Sequence, residues 1–128
     1  MVPGPTSVSR EVLEAGMVNY GSADLEGDYV ELYAATTGML AEAMGTKGDV
    51  VLQTGEGMLA LWGAMKSCLR AGDRVLALST GLFGYGMGCM AESIGCEVRT
   101  VGFGFDETLS DFGLIEEAVR EFRPKMIT

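Results

Sequence analysis

The spacing of apolar residues changes character partway along this chain. Between Leu25 and Met44, the positions Tyr29, Leu32, Tyr33, Thr36, Leu40 and Met44 recur at helical intervals, which predicts one long helix stopped by Gly45. Ahead of it, Ser9 is placed to cap a short helix from Arg10 to Ala15 that Gly16 ends. From Asp49 onward, short continuous apolar runs alternate with helical patterns. Strands are predicted at 49–54 (DVVLQT), 74–80 (RVLALST), 96–103 (CEVRTVGF) and from Met126 to the last residue, Thr128.

Helices fill the intervals. The segment from Met58 to Arg70 carries Met58, Leu61, Trp62, Met65 and Leu69 on one face and Ala60, Gly63 and Ser67 on another, with Lys66 and Arg70 toward its end. Bulk on one side and small residues on the other predict close packing against a sheet. A glycine-weakened helix follows within 81–95, with Met87, Met90 and Ile94 as core positions. The last helix runs from Asp111 to Phe122 with Phe112, Ile115, Val119 and Phe122 turned inward. Two leading helices followed by alternating strand–helix units define an α/β fold with a mostly parallel sheet in three layers. Strands buried on both faces read as continuous apolar runs, as these do. A chain that stops three residues into such a strand is expected to be part of something longer.

Charge narrows the partners. Eighteen acids against nine bases give a formal net charge of −9, which argues against nucleic acid, because a phosphate backbone needs a basic footprint. No apolar run reaches membrane-spanning length and no signal-peptide profile opens the chain, so a membrane partner is not expected and a cytoplasmic protein is, with an organelle such as the peroxisome left open. The chain has no histidine, which removes Ser-His-Asp and Cys-His nucleophile systems and histidine-based metal sites. Cys68, Cys89 and Cys96 form no CxxC pair and are expected as reduced core residues.

Candidate chemistry gathers where a predicted strand meets a helix. Gly55-Glu56-Gly57 stands at that junction, where free N–H groups and the helix dipole favour an anion and glycine lets the main chain approach it. A tight turn without a ligand explains the same residues equally well. The run Gly55 to Ala60 also satisfies the G-x-G-x-x-A dinucleotide fingerprint, but the ribose-binding acid expected at the end of the second strand is absent, where Ser79-Thr80-Gly81 stands. An NAD-binding dehydrogenase domain is therefore the second reading. Phe83 follows the second strand at the same sheet edge, where an aromatic ring either stacks on a planar cofactor or packs in the core.

In this order and spacing, Pro3-Gly4-Pro5-Thr6, Val51 to Gly57, Ala71 to Leu76, Gly81-Leu82-Phe83-Gly84 and Ile94 to Val98 resemble the alanine–glyoxylate and serine–pyruvate branch of the class V pyridoxal-phosphate aminotransferases. The resemblance runs the length of the chain and corresponds to the first third of a family member. It implies residues 1–24 as an amino-terminal arm with a short helix, and 25–128 as the incomplete first part of a type I aminotransferase large domain. It implies pyridoxal 5'-phosphate as cofactor, with its phosphate on the main-chain amides of Glu56, Gly57 and Met58 and its ring under Phe83. Gly4 matches a segment near the substrate pocket. A small amino acid, alanine or serine, and a 2-oxo acid, glyoxylate or pyruvate, are the implied substrates, in a homodimer. The family loop commonly has Ser or Thr where Glu56 stands, and a His-Arg-Ser run where Tyr20-Gly21-Ser22 stands. Lys47, Lys66 and Lys125 are the lysines present, and none is predicted at the glycine-loop edge. The Schiff-base lysine is expected after residue 128, so this chain alone is expected to be inactive. A module that binds a phosphate ligand or a partner without catalysis is the remaining alternative.

Overall fold

A computed structural model describes residues 6–105, 107–109 and 111–128. The chain divides into two compact units, Met1–Gln53 and Thr54–Thr128.

The first unit holds α1 (Arg10–Ala15) and α2 (Gly27–Ala43). Ser9 occupies the cap position of α1 in extended conformation, but its side chain makes no capping hydrogen bond. No residue of either helix is buried. The predicted α2 stripe is present but open: Leu32, Leu40 and Met44 are exposed, because within this unit no described element covers them. The segment predicted as the first strand, 49–54, is not a strand. A strand exists through a hydrogen-bonded neighbour, none of the described residues supplies one, and Val51 stays 79% exposed.

The second unit is the α/β body. In chain order it contains α3 (Gly57–Cys68), β1 (Arg74–Ser79), α4 (Leu82–Ile94), β2 (Glu97–Gly102), α5 (Phe112–Phe122) and β3 (Met126–Ile127). The three strands form a parallel sheet in the order β2-β1-β3. β1 is central, with Arg74 opposite Glu97 and Ser79 opposite Gly102 on one side, and Val75 opposite Met126 on the other. Its Val75, Leu76 and Ala77 are fully buried, as a strand covered on both faces requires.

The order explains the layers. The step from β1 to β2 and the step from β2 back to β3 run in opposite directions across the sheet. Crossovers of one hand must then lay their helices on opposite faces. Two apolar clusters result. Met65, Leu69, Val75, Ala91 and Cys96 form one with Met87, Met90 and Ile94 of α4 against it, and Leu76, Val101 and Ala118 form the other under α5. Ala118 rather than Phe112 is the buried residue of α5, and Phe112, in its first turn, is 66% exposed. α3 buries only Met65, so the close-packed small face expected of it is not formed. Of the cysteines only Cys96 is buried, where desolvation pushes its thiol pKa up. Cys68 and Cys89, expected in the core, are exposed.

Candidate cofactor-binding edge

A helix that returns the chain to the start of a parallel strand runs against the strand, so its amino terminus lies at the strand's carboxyl end. The beginnings of α3 and α4 and the segment after β2 therefore share the carboxyl edge of the sheet. The Gly55–Gly57 turn, Phe83 and the Ser79-Thr80-Gly81 strand end belong to elements that start or stop at that edge, and of these Thr80, Gly81 and Phe83 line one hollow.

At α3, Glu56 is the cap residue, with φ −83° and ψ 160°, and its carboxylate makes no bond to the helix amides. Gly55 has φ +143°, a conformation that strains any other residue, and Leu59 lies against the place a side chain would take. Leu59 N–H reaches back to the Glu56 carbonyl. Among the described residues, no protein acceptor is paired with the N–H groups of Glu56, Gly57 or Met58. The space in front of Gly57 is open as well, since a Cβ there would meet nothing within 4 Å. These are the unpaired donors that an α-helix leaves at its start.

At α4, a buried serine sets the turn. Ser79 Oγ donates to the Gly81 carbonyl at 2.8 Å and accepts from the Gly81 amide at 3.3 Å. The Gly84 position sits so close to the strand that a Cβ would fall 2.7 Å from the Leu78 carbonyl oxygen. These contacts hold Phe83 out of the core at 65% exposure. It lines a hollow of about 270 Å³ with Thr80, Gly81, Leu82, Gly84 and Phe105. Sequence reasoning missed Phe105 and the turn-setting role of the Ser79 hydroxyl. Phe105 stands in the loop after β2, and only the parallel pairing of β1 with β2 brings that loop to the same edge.

Lys66 and Lys125 are away from this edge. Lys66 is in the last turn of α3, 5.8 Å from the Trp62 ring. Lys125 precedes β3 and pairs with Asp73 at 2.6 Å, ahead of β1. Asp73 also accepts from the Arg70 amide at 2.7 Å, and the ammonium and this amide together hold its carboxyl below the usual range. Lys47 belongs to the first unit. Gly4 lies outside the described residues.

A parallel α/β body with an open helix terminus and an aromatic hollow at its carboxyl edge offers donors to an anion and apolar surface to a flat ring. Known proteins with similar sequence and fold narrow the class. No family model matches the chain. It is 38% identical over 84 residues to an uncharacterised aminotransferase of Methanocaldococcus jannaschii, covering 66% of this chain and 22% of that protein. It is 25% identical over 129 residues to the small subunit of a soluble hydrogenase of Synechococcus, covering 99% of this chain and 33% of that one. The crystal structure of an alanine–glyoxylate aminotransferase from Nostoc superposes with a TM-score of 0.89 at 26% identity, over 98% of this chain and 33% of that structure. The resemblance to class V aminotransferases is thus supported in both sequence and fold, and the chain spans about a third of the length of that structure.

Proposed function

We propose that this chain is the amino-terminal part of a pyridoxal-phosphate aminotransferase that moves an amino group from alanine or serine to glyoxylate or pyruvate. One observation carries the reading: unpaired amides at the start of α3 and the exposed ring of Phe83 stand at the same edge of a parallel sheet. The residues fit the cofactor, because open space at Gly57 admits a phosphate and the hollow at Phe83 admits a flat ring. When bound, pyridoxal phosphate supplies an electron sink for the bonds around the amino-acid Cα.

The chain's own part is binding and orientation. The amides of Glu56, Gly57 and Met58 donate to the phosphate, and Phe83 covers one face of the pyridine. Gly4 belongs near the substrate by resemblance. By the same resemblance, the lysine that bonds the cofactor and the acid that keeps its ring protonated belong to a later segment of the family, and the part assigned to these 128 residues is binding without the reactive amine. Residues 1–24 serve as an arm and 25–128 as the start of the large domain, within a cytoplasmic homodimer that shares its sites. No helix of the described residues is long and apolar enough to cross a membrane.

Two other readings are weaker on specific grounds. A dinucleotide site needs an acid at the end of β1, and Asp73 instead precedes that strand and is engaged by Lys125. A non-catalytic module that binds only a phosphate leaves the exposed rings of Phe83 and Phe105 around one hollow unexplained. The experiment is a binding titration with pyridoxine 5'-phosphate, which has no aldehyde to react with surface lysines, set against NAD. Saturable binding of the pyridoxine compound, displaced by inorganic phosphate, is the expected result. Binding of NAD alone would overturn the proposal.

A further inference from the structure

Phe105 is among the most exposed large apolar residues of the molecule, at 90%. Its position is nonetheless built. The loop leaves β2 through the Phe103 amide, which donates to the Ser79 carbonyl at 2.7 Å. Glu107 then closes it: its carboxylate accepts from the Gly104 amide at 2.7 Å, while its own amide donates to the Gly104 carbonyl at 3.0 Å. The ring is held over Gly81, with Cδ2 3.5 Å from where a Cβ would stand, and it lines the same hollow as Phe83. Two exposed phenyl rings from different crossovers thus border one small depression. Keeping that much apolar surface in water is unfavourable by about 25 cal/mol per Å² unless something covers it.

We infer that Phe105 is a second ring-contacting residue of the cofactor hollow, closing its β2 side and selecting a phosphate ester that carries a flat heterocycle over bare phosphate. The inference rests on the cofactor reading above and adds a residue to it. Phe83 covers the ring, and Phe105 shields it from water on the β2 side. The phosphate is bound elsewhere, by the amides of α3, so the two contributions are separable.

The test compares Phe105→Ala, Phe105→Leu and the unaltered chain by calorimetric titration with pyridoxine 5'-phosphate and, separately, with inorganic phosphate. An aromatic contact of about 0.5–1.5 kcal/mol predicts a loss of roughly three- to tenfold in affinity for the ring-bearing ligand in the alanine variant. Affinity for inorganic phosphate should not change, and leucine should restore part of the loss. Equal losses for both ligands would overturn the inference by making Phe105 a general support of the edge. Unchanged affinity for both would also overturn it, and a simultaneous drop in self-association by sedimentation would assign the ring to a second copy of the chain. Failure of the unaltered chain to bind pyridoxine 5'-phosphate removes the cofactor reading itself, an outcome distinct from the other two.

Discussion

Gly84 and Gly88 look alike in the sequence and are different in their surroundings. A methyl group at Gly84 would meet backbone atoms of β1, the Leu78 oxygen at 2.7 Å and the Ser79 Cα at 2.8 Å, and neither can swing aside. At Gly88 the nearest atom, the Ala77 Cβ, stands 3.4 Å away, an ordinary contact. Gly84→Ala should therefore lower unfolding free energy by about 1–3 kcal/mol through overpacking. Gly88→Ala should leave stability unchanged or raise it by up to about 1 kcal/mol from helix propensity. Urea melts of both variants check this, and equal effects would show that α4 can shift freely. Glu56 belongs to this scale too. Its carboxylate makes no cap bond, so it only adds negative charge beside the proposed phosphate. Removing that charge in Glu56→Gln should tighten phosphate binding about threefold to tenfold, in line with about 1 kcal/mol per charge pair near 4 Å in water. A weaker ligand affinity in that variant would mean the carboxylate faces the site as an acceptor.

At the scale of elements, helices were the most legible part. α1 spans the predicted residues, and α2 to α5 fall within a few residues of theirs, because helical spacing and flanking glycines are local signals; a side-chain cap forms only at α5 among the described helices. Asp111 accepts from the Leu114 amide at 3.0 Å, as a helix cap should. β1, β2 and β3 were legible from their apolar runs, although only β1, the central strand, is buried along most of its length. The 49–54 segment has an equally apolar run and no strand, because a strand needs a neighbour and hydrophobicity does not say which neighbour. Phe112 was misplaced for a related reason: helical spacing names a face, but how far the sheet extends beneath it is a tertiary fact. The Asp73 contacts tie the turn before β1 to the entry of β3. The carboxyl's pKa is lowered in the folded chain, by Lys125 first and the Arg70 amide second. Its contribution to stability is therefore present above the ordinary value of 3.8 and lost as pH falls through the lower folded value. Urea midpoints of the unaltered chain should drop more steeply below about pH 4 than those of Asp73→Asn. Parallel curves would show that the ion pair adds nothing.

For the molecule as a whole, the carboxyl edge of the sheet was only half readable beforehand. The glycine turn and Phe83 stand out by residue type and position. The Ser79 hydroxyl and Phe105 do not: the first acts through a local bond to Gly81 that residue type does not announce, and the second reaches the strand end only because β2 pairs with β1. The edge holds donors and aromatic surface, while Lys66 and Lys125 stand elsewhere. The central claim, that α3 binds a phosphate through its first amides, has one direct test. Gly57 is the first helical residue, a position where proline is tolerated, and the extended Glu56 before it suits a following proline. Gly57→Pro thus deletes one N–H donor while the helix remains. With unchanged circular dichroism, affinity for pyridoxine 5'-phosphate should fall about tenfold or more, the worth of a charge-assisted hydrogen bond of about 1.5–3 kcal/mol. A folded variant that binds the compound as tightly as the unaltered chain would contradict the account.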